Sequence, residues 1–233
     1  MGSISMNIHE MISDLRKQRE LRMAAGWIGV GRRYTLVMSR FLATFFVLSG
    51  IAMSASYEVR PDQDTHVSLS VEKTGLMRGR KHLFVFEKYG GTLRFDPQQP
   101  DGAAIQLTID SRSAICRDEW VSQKDLQKIQ ATALEDMLAV NRYPSMTFTS
   151  SSIKALGGNR FEAHGTLTIR DIAKPVIVTA QLNAADPARL RVSGAAIIRL
   201  TDYKLKPPSA VLGAIGTKDE MTLNFTISAS RID

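Results

Sequence analysis

An all-β chain closed into an antiparallel barrel, with one amphipathic helix inserted, is what the sequence predicts from residue 57 onward. Three observations predict it. Apolar residues recur with a period of two in short runs, Gly, Pro, Asp and Asn separate those runs, and a single stretch near residues 122–138 switches to helical spacing. About eight to ten strands result, and a sheet of that many strands joined by turns loses its exposed edges by closing on itself.

The strands follow in order. Val67, Leu69 and Val71 alternate with Ser68 and Ser70, and Ile105, Leu107 and Ile109 alternate with Gln106 and Thr108. Similar runs cover residues 83–86, 93–95, 146–153, 161–169, 176–182, 191–200 and 221–228. Tyr89-Gly90-Gly91 and Gly157-Gly158-Asn159 are expected to supply positive φ in tight hairpins, and Asp186-Pro187 to open a turn at a preset φ. Ile172 is expected to pack at the barrel base, and Pro175 to pre-set an extended start for the strand after it. In the helical stretch, Ser122 with Asp125 makes a capping box, and Leu126, Ile129, Ala133, Leu134, Met137 and Leu138 recur on one face. Tyr143-Pro144 should end it, because the residue before Pro is pushed out of the helical region. Such a stripe must lie on something, either a barrel mouth or the outer wall.

Residues 1–56 read as a leader and residues 57–233 as one barrel domain. Arg32, Arg33 and Arg40 precede an apolar run over residues 41–53, too short to span a bilayer comfortably, and Ser54, Ala55 and Ser56 follow. Positive flank, short apolar core and small-residue exit are the parts of a signal peptide cleaved near residues 54–56, so the mature chain is expected in the periplasm or outside the cell. Residues 1–31 are long for such a leader, and internal methionines at Met6, Met11, Met23 and Met38 fit a later start.

The net charge of +7 invites a nucleic-acid reading until its place in the chain is considered. Residues 1–54 hold 7 of the 30 Lys and Arg and 3 of the 23 Asp and Glu, which leaves the rest at about +3. Without a basic face to neutralise phosphates, nucleic acid is not an expected partner. Cys116 is the only cysteine, so no disulfide forms within the chain, and its apolar neighbours Ala114 and Ile115 mark it as a small core residue.

Catalytic patterns are weak. His66, His82 and His164 come from three separate runs without metal-ligand spacing, no serine sits in a nucleophile elbow, and no Gly-rich turn opens a helix to cradle a phosphate. Asp118-Glu119 and Glu135-Asp136 read as solvated faces. His82 is the best polar candidate because it shares parity with Phe84 and Phe86. Neither a catalytic residue nor a metal site is expected. The inward parity of the remaining runs is rich in Phe, Leu and Met, and on the residues alone an ordinary packed core is favoured.

Four ordered segments carry a family resemblance: residues 75–86 (GLMRGRKHLFVF), 141–150 (NRYPSMTFTS), 160–175 (RFEAHGTLTIRDIAKP) and 200–221 (LTDYKLKPPSAVLGAIGTKDEM). They resemble the YceI-like proteins, lipocalin-like barrels that hold a polyisoprenoid tail in an elongated cavity. One departure is the charged segment over residues 118–139, standing where many members carry a short Arg-Asp-x-His-Leu motif.

The resemblance implies that Phe84, Phe86, Phe95, Trp120, Leu134, Met137, Leu138, Met146, Phe148, Phe161, Leu167 and Phe225 line a slot, with His82 as a polar contact at its mouth. It implies a binding protein rather than an enzyme, with a polyisoprenoid or isoprenoid quinone as ligand and no other cofactor. Transient contact with a membrane surface and a homodimer are compatible with it. The competing readings are an enzyme acting on such a lipid through His82 or His164, and a solid-cored interaction domain. Cavity volume separates the carrier from the solid barrel.

Overall fold

The computed structural model describes residues 54–233, so the apolar core of the leader and the later start lie outside the described residues, while Ala55 and Ser56, read as the end of the leader, stand in the first strand with Ala55 buried. Eleven antiparallel strands form one sheet. They are β1 (Ala55–Arg60), β2 (His66–Gly75), β3 (Lys81–Phe86), β4 (Tyr89–Phe95), β5 (Ala104–Asp110), β6 (Ala114–Cys116), β7 (Ser145–Gly157), β8 (Arg160–Ile169), β9 (Ile172–Asp186), β10 (Arg189–Arg199) and β11 (Ile215–Arg231). The order β1-β4-β5-β7-β8-β9-β10-β11 returns to β1, which closes the ring.

The ring accommodates eleven strands because β11 shares one edge between two partners. Its residues 228–231 pair with β1 and its residues 215–226 with β2. Beyond a bend, β2, β3 and β6 carry on the wall that β1, β4 and β5 begin, since β2 pairs β3 and β3 pairs β6 just as β1 pairs β4 and β4 pairs β5. Bent strands counted twice give the excess over the eight to ten expected. Strands β1 and β6, six and three residues long, offer too little periodicity to be read from sequence.

Glycines Gly90 and Gly91 correct an expectation. They lie inside β4 rather than in a hairpin turn. Gly91 is needed for close approach, because a Cβ there would strike the Gln106 carbonyl of β5. The Gly157-Gly158-Asn159 turn does take left-handed backbone, with φ of 81°, 61° and 60°.

The inward parity holds along the wall. Val67, Phe86, Leu93, Phe95, Ile109 and Leu167 are all buried. On β7 the inward set changes from Met146 and Phe148 to Ile153 at an irregularity between Ser150 and Ser152, since one extra residue shifts a period-two pattern by one face.

Among the described residues strand β6 has no partner strand on its far side, because β7 pairs with β5 only from Ser145 onward. Helix α1 (Gln123–Ala131) lies in the connection across that gap. Its cap is the one read from sequence: the Ser122 hydroxyl accepts from the Asp125 N–H at 3.2 Å and donates to Asp125 Oδ2 at 2.7 Å. The helix then widens into a π-helical turn over Thr132–Met137, where the Leu138 N–H reaches the Ala133 carbonyl at 2.9 Å. It stops there because Ala139 turns left-handed at φ 48°, before Tyr143-Pro144 is reached. The turn between β8 and β9 sits at this same helix-bearing end: Ile169 lines the cavity that the helix covers, so Ile172 packs near the mouth and not at the base.

Candidate functional site

The barrel interior is hollow in two adjacent chambers that share part of their wall. The lower one, about 110 Å³, is walled only by apolar side chains, among them Phe95, Phe148, Phe161, Val178 and Phe225. The upper one, about 300 Å³, lies under α1 and the π-helical turn, which contribute Ile129, Ala133 and Met137, with Leu138 beside them. Ile109, Leu167 and Leu223 line both chambers and form a waist between them. A solid core is therefore not what the inward parity builds.

Two glycines let the aromatic walls lie flat. A Cβ at Gly165 would stand 2.6 Å from the Phe148 ring, and one at Gly194 would stand 2.5 Å from Phe225 Cζ. Both rings thus cover bare backbone on the neighbouring strand and leave the middle of the lower chamber open.

Polar groups are confined to the upper chamber, where Lys73, His82, Lys128, Thr132, Ser209 and Thr217 line the wall. Burial holds the Lys73 ammonium below the usual lysine range, and the Asp118 carboxylate opposes that fall.

His82 is fixed from behind. Its Nδ1 hydrogen-bonds Asp118 Oδ2, and the other carboxylate oxygen accepts from the Leu83 N–H at 2.9 Å. The Asp118 side chain is 1 % exposed, which corrects its reading as a solvated charge. Two side chains and a backbone donor converge here because β3 and β6 are neighbours: Phe84 pairs with Cys116, and Asp118 follows just beyond the strand end. No local spacing could reveal this, since residues 82 and 118 are brought together only by the bend that makes β6.

His82, Cys116 and Asp118 offer ligand atoms within 4.8 Å of one another, the one such group among the described residues. Burial pushes the Cys116 thiol up to about 12, so it stands as a neutral thiol beside the carboxylate. The other two histidines among the described residues are remote from the cavity. His66 is exposed, and His164 pairs with Glu162 at 2.9 Å on the outer face.

Of the apolar candidates, Phe84, Phe86, Met137, Leu138 and Met146 line the upper chamber, Phe95, Phe148, Phe161 and Phe225 the lower one, and Leu167 both. Trp120 lines neither. Its ring stacks on His82 at 5.4 Å between centroids, and its Nε1–H donates to the Lys81 carbonyl at 2.9 Å. An indole N–H seeks an acceptor, which favours this rim position over an apolar slot. Leu134 also stands outside both linings and packs against the core.

A family model described as the YceI-like domain matches residues 57–229. The chain belongs to the YceI-like family. Among its relatives, a UPF0312 protein of Pseudomonas savastanoi pv. phaseolicola is 26% identical over 180 residues, covering 72% of this chain and 85% of that one. A UPF0312 protein of Pseudomonas aeruginosa is 26% identical over 173 residues, covering 71% and 84%. Among solved structures, BcnA of Burkholderia cenocepacia superposes with a TM-score of 0.54 at 22% identity, covering 70% of this chain and 96% of that one. A polyisoprenoid binding domain from Saccharophagus degradans, implicated in plant cell wall breakdown, superposes with a TM-score of 0.53 at 12% identity, covering 77% and 100%. At these identities the structural likeness carries the YceI-like barrel fold.

Proposed function

We propose that this protein binds a long polyisoprenoid lipid, tail first, along the two chambers of its barrel, and carries it through the periplasm. The observation that carries the reading is a lower chamber walled only by apolar side chains that shares Ile109, Leu167 and Leu223 with the larger chamber above it. A tail has no groups that need hydrogen bonds, and the lower chamber offers none. Each methylene withdrawn from water contributes about 0.8 kcal/mol, so a chain of tens of carbons favours such a tube over an aqueous gap. Association costs keep the net affinity well below that sum.

The head group belongs in the upper chamber, the only part with polar walls. His82, held by Asp118, presents one fixed imidazole edge, and Lys73 and Lys128 add positive charge. The Saccharophagus domain, named as polyisoprenoid binding, supports the ligand class. Binding without turnover rests on the likeness to that binding domain, since the hydrogen bond from Asp118 to His82 would orient the imidazole equally well for holding a head group or for moving a proton.

Native mass spectrometry of protein isolated from its own periplasm tests the reading. A bound lipid whose fragments differ by isoprene units is the expected result. An empty barrel that also fails to take up a labelled polyprenol would refute it, and a chemically altered polyprenol after incubation would favour an enzyme.

A further inference from the structure

Four large apolar side chains stand in water at the rim of the upper chamber. Leu212 is fully exposed, Leu76 is 79 % exposed, Val211 66 % and Met77 37 %. They occupy two turns that are tied together. The Leu76 N–H donates to the Ala214 carbonyl at 3.1 Å, and Gly75 lies opposite Ile215 in the β2–β11 register. Gly75 has no side chain to prevent this, whereas a Cβ there would strike the same Ala214 carbonyl.

The second turn projects its side chains by an unfavourable backbone. Val211 and Leu212 both take φ of 52°, a conformation that a β-branched residue rarely adopts. Burial cannot be the reason, since both side chains face outward. Pro208, Ser209 and Ala210, just before them, line the upper chamber itself, so the exposed tips are part of its mouth.

Within the two turns the charge has one sign, with Glu72, Asp202, Asp219 and Glu220 standing just outside them. Residues 73–81 contain Lys73, Arg78, Arg80 and Lys81, residues 203–218 contain Lys204, Lys206 and Lys218, and neither stretch holds an Asp or Glu. Among the described residues only Lys218 of these seven has a carboxylate partner, Glu72 at 2.8 Å. Apolar tips flanked by Arg78, Lys204 and Lys206, none with a carboxylate partner among the described residues, match the two layers of an anionic bilayer surface, acyl chains beneath phosphates.

We propose that this rim docks on an anionic phospholipid surface. Leu76, Met77, Val211 and Leu212 enter the acyl boundary, and Arg78, Lys204 and Lys206 meet the phosphates, so that the mouth opens onto the membrane. The use of such docking, loading the cavity with lipid, rests on the polyisoprenoid reading. The docking itself rests on the rim.

Cosedimentation of the isolated protein with vesicles tests it, with phosphatidylglycerol-containing vesicles set against pure phosphatidylcholine. Binding should favour the anionic vesicles by about tenfold or more and weaken as salt is raised. The double variant Leu76→Asp/Leu212→Asp should lose about tenfold in vesicle binding, and Lys204→Glu/Lys206→Glu a comparable amount. The pair Ile177→Asp/Ile197→Asp, exposed apolar residues on β9 and β10, should bind as the parent does. Farnesol uptake, followed without vesicles, should be unchanged in the rim variants. The proposal is overturned if the parent ignores anionic vesicles, if both rim variants bind like the parent, or if the β9–β10 pair loses as much. Absent farnesol uptake with rim-dependent vesicle binding intact would instead count against the cavity reading and leave docking standing.

Discussion

The side chain of Gln130 completes the sheet at Cys116. Its Oε1 accepts from the Cys116 backbone N–H at 2.7 Å, and its Nε2 donates to the Ala114 carbonyl at 2.6 Å. One amide from the helix thus supplies the donor and the acceptor that a neighbouring strand would have brought to β6. An unpaired edge is both costly and adhesive, and here the same two bonds that satisfy it hold the helix over the upper chamber.

Gln130→Leu should therefore act on two levels. Leaving the edge groups unpaired costs about 1–3 kcal/mol, seen as a lowered denaturant midpoint. The Cys116 amide should also lose hydrogen-exchange protection before the rest of the sheet does. Equal protection in parent and variant would mean that the helix is held by its apolar face alone.

Much of this architecture is legible in the sequence, and the illegible parts share a cause. Val67, Leu69 and Val71 declare their strand because a half-buried strand must alternate, and Ser122 with Asp125 declares the helix start because an end needs a cap. Both signals are local. Asp118 gives none: beside Glu119 it reads as surface, and only the bend between β5 and β6 carries it to His82. Trp120, which the resemblance puts in the slot, is misplaced for a related reason, since the Lys81 carbonyl that takes its N–H lies on another strand. The hollow interior is likewise invisible, because the same Phe and Leu parity serves a filled core or a lined tube. The family resemblance, not the periodicity, pointed to a tube.

Gly194 tests how the lower chamber is kept open. A Cβ there meets both the Phe225 ring and the Thr179 carbonyl, and the second is backbone and cannot swing away. Gly194→Ala should destabilise by about 1–3 kcal/mol. Gly90→Ala is the contrast, since its nearest atom is the Val59 carbonyl at an ordinary 3.5 Å. Denaturant midpoints of the two variants should diverge; if they move together, the close approach at Gly194 is not what the structure requires.

Cys116 should be inert in the folded protein. Burial raises its thiol from an ordinary 9.0 to about 12, so the fold favours the protonated form. That contribution to stability is complete below about pH 9 and is lost as pH rises through the folded value. A thiol reagent at pH 8 should react only as fast as the protein opens, and Cys116→Ala should flatten the loss of stability between about pH 9 and pH 11. Rapid labelling of the native protein at pH 8 would contradict the assignment.

The waist offers the sharpest test of how a tail lies in the barrel. Ile109, Leu167 and Leu223 line both chambers, so a ligand longer than the upper chamber must pass between them. Leu223 stands on β11, opposite Leu69 on one side and Ala196 on the other, and a larger side chain there projects into the passage. Leu223→Trp should leave farnesol, which fits above the waist, bound nearly as in the parent. Octaprenol, which must thread it, should bind at least about tenfold more weakly, and overpacking should lower stability by about 1–3 kcal/mol for both measurements alike. Affinities per folded molecule separate those effects. A variant that keeps both ligands has a tail that never enters the lower chamber, and that outcome removes the tail-first arrangement along two chambers; equal loss of both would place the damage in the upper chamber, which Leu223 also lines.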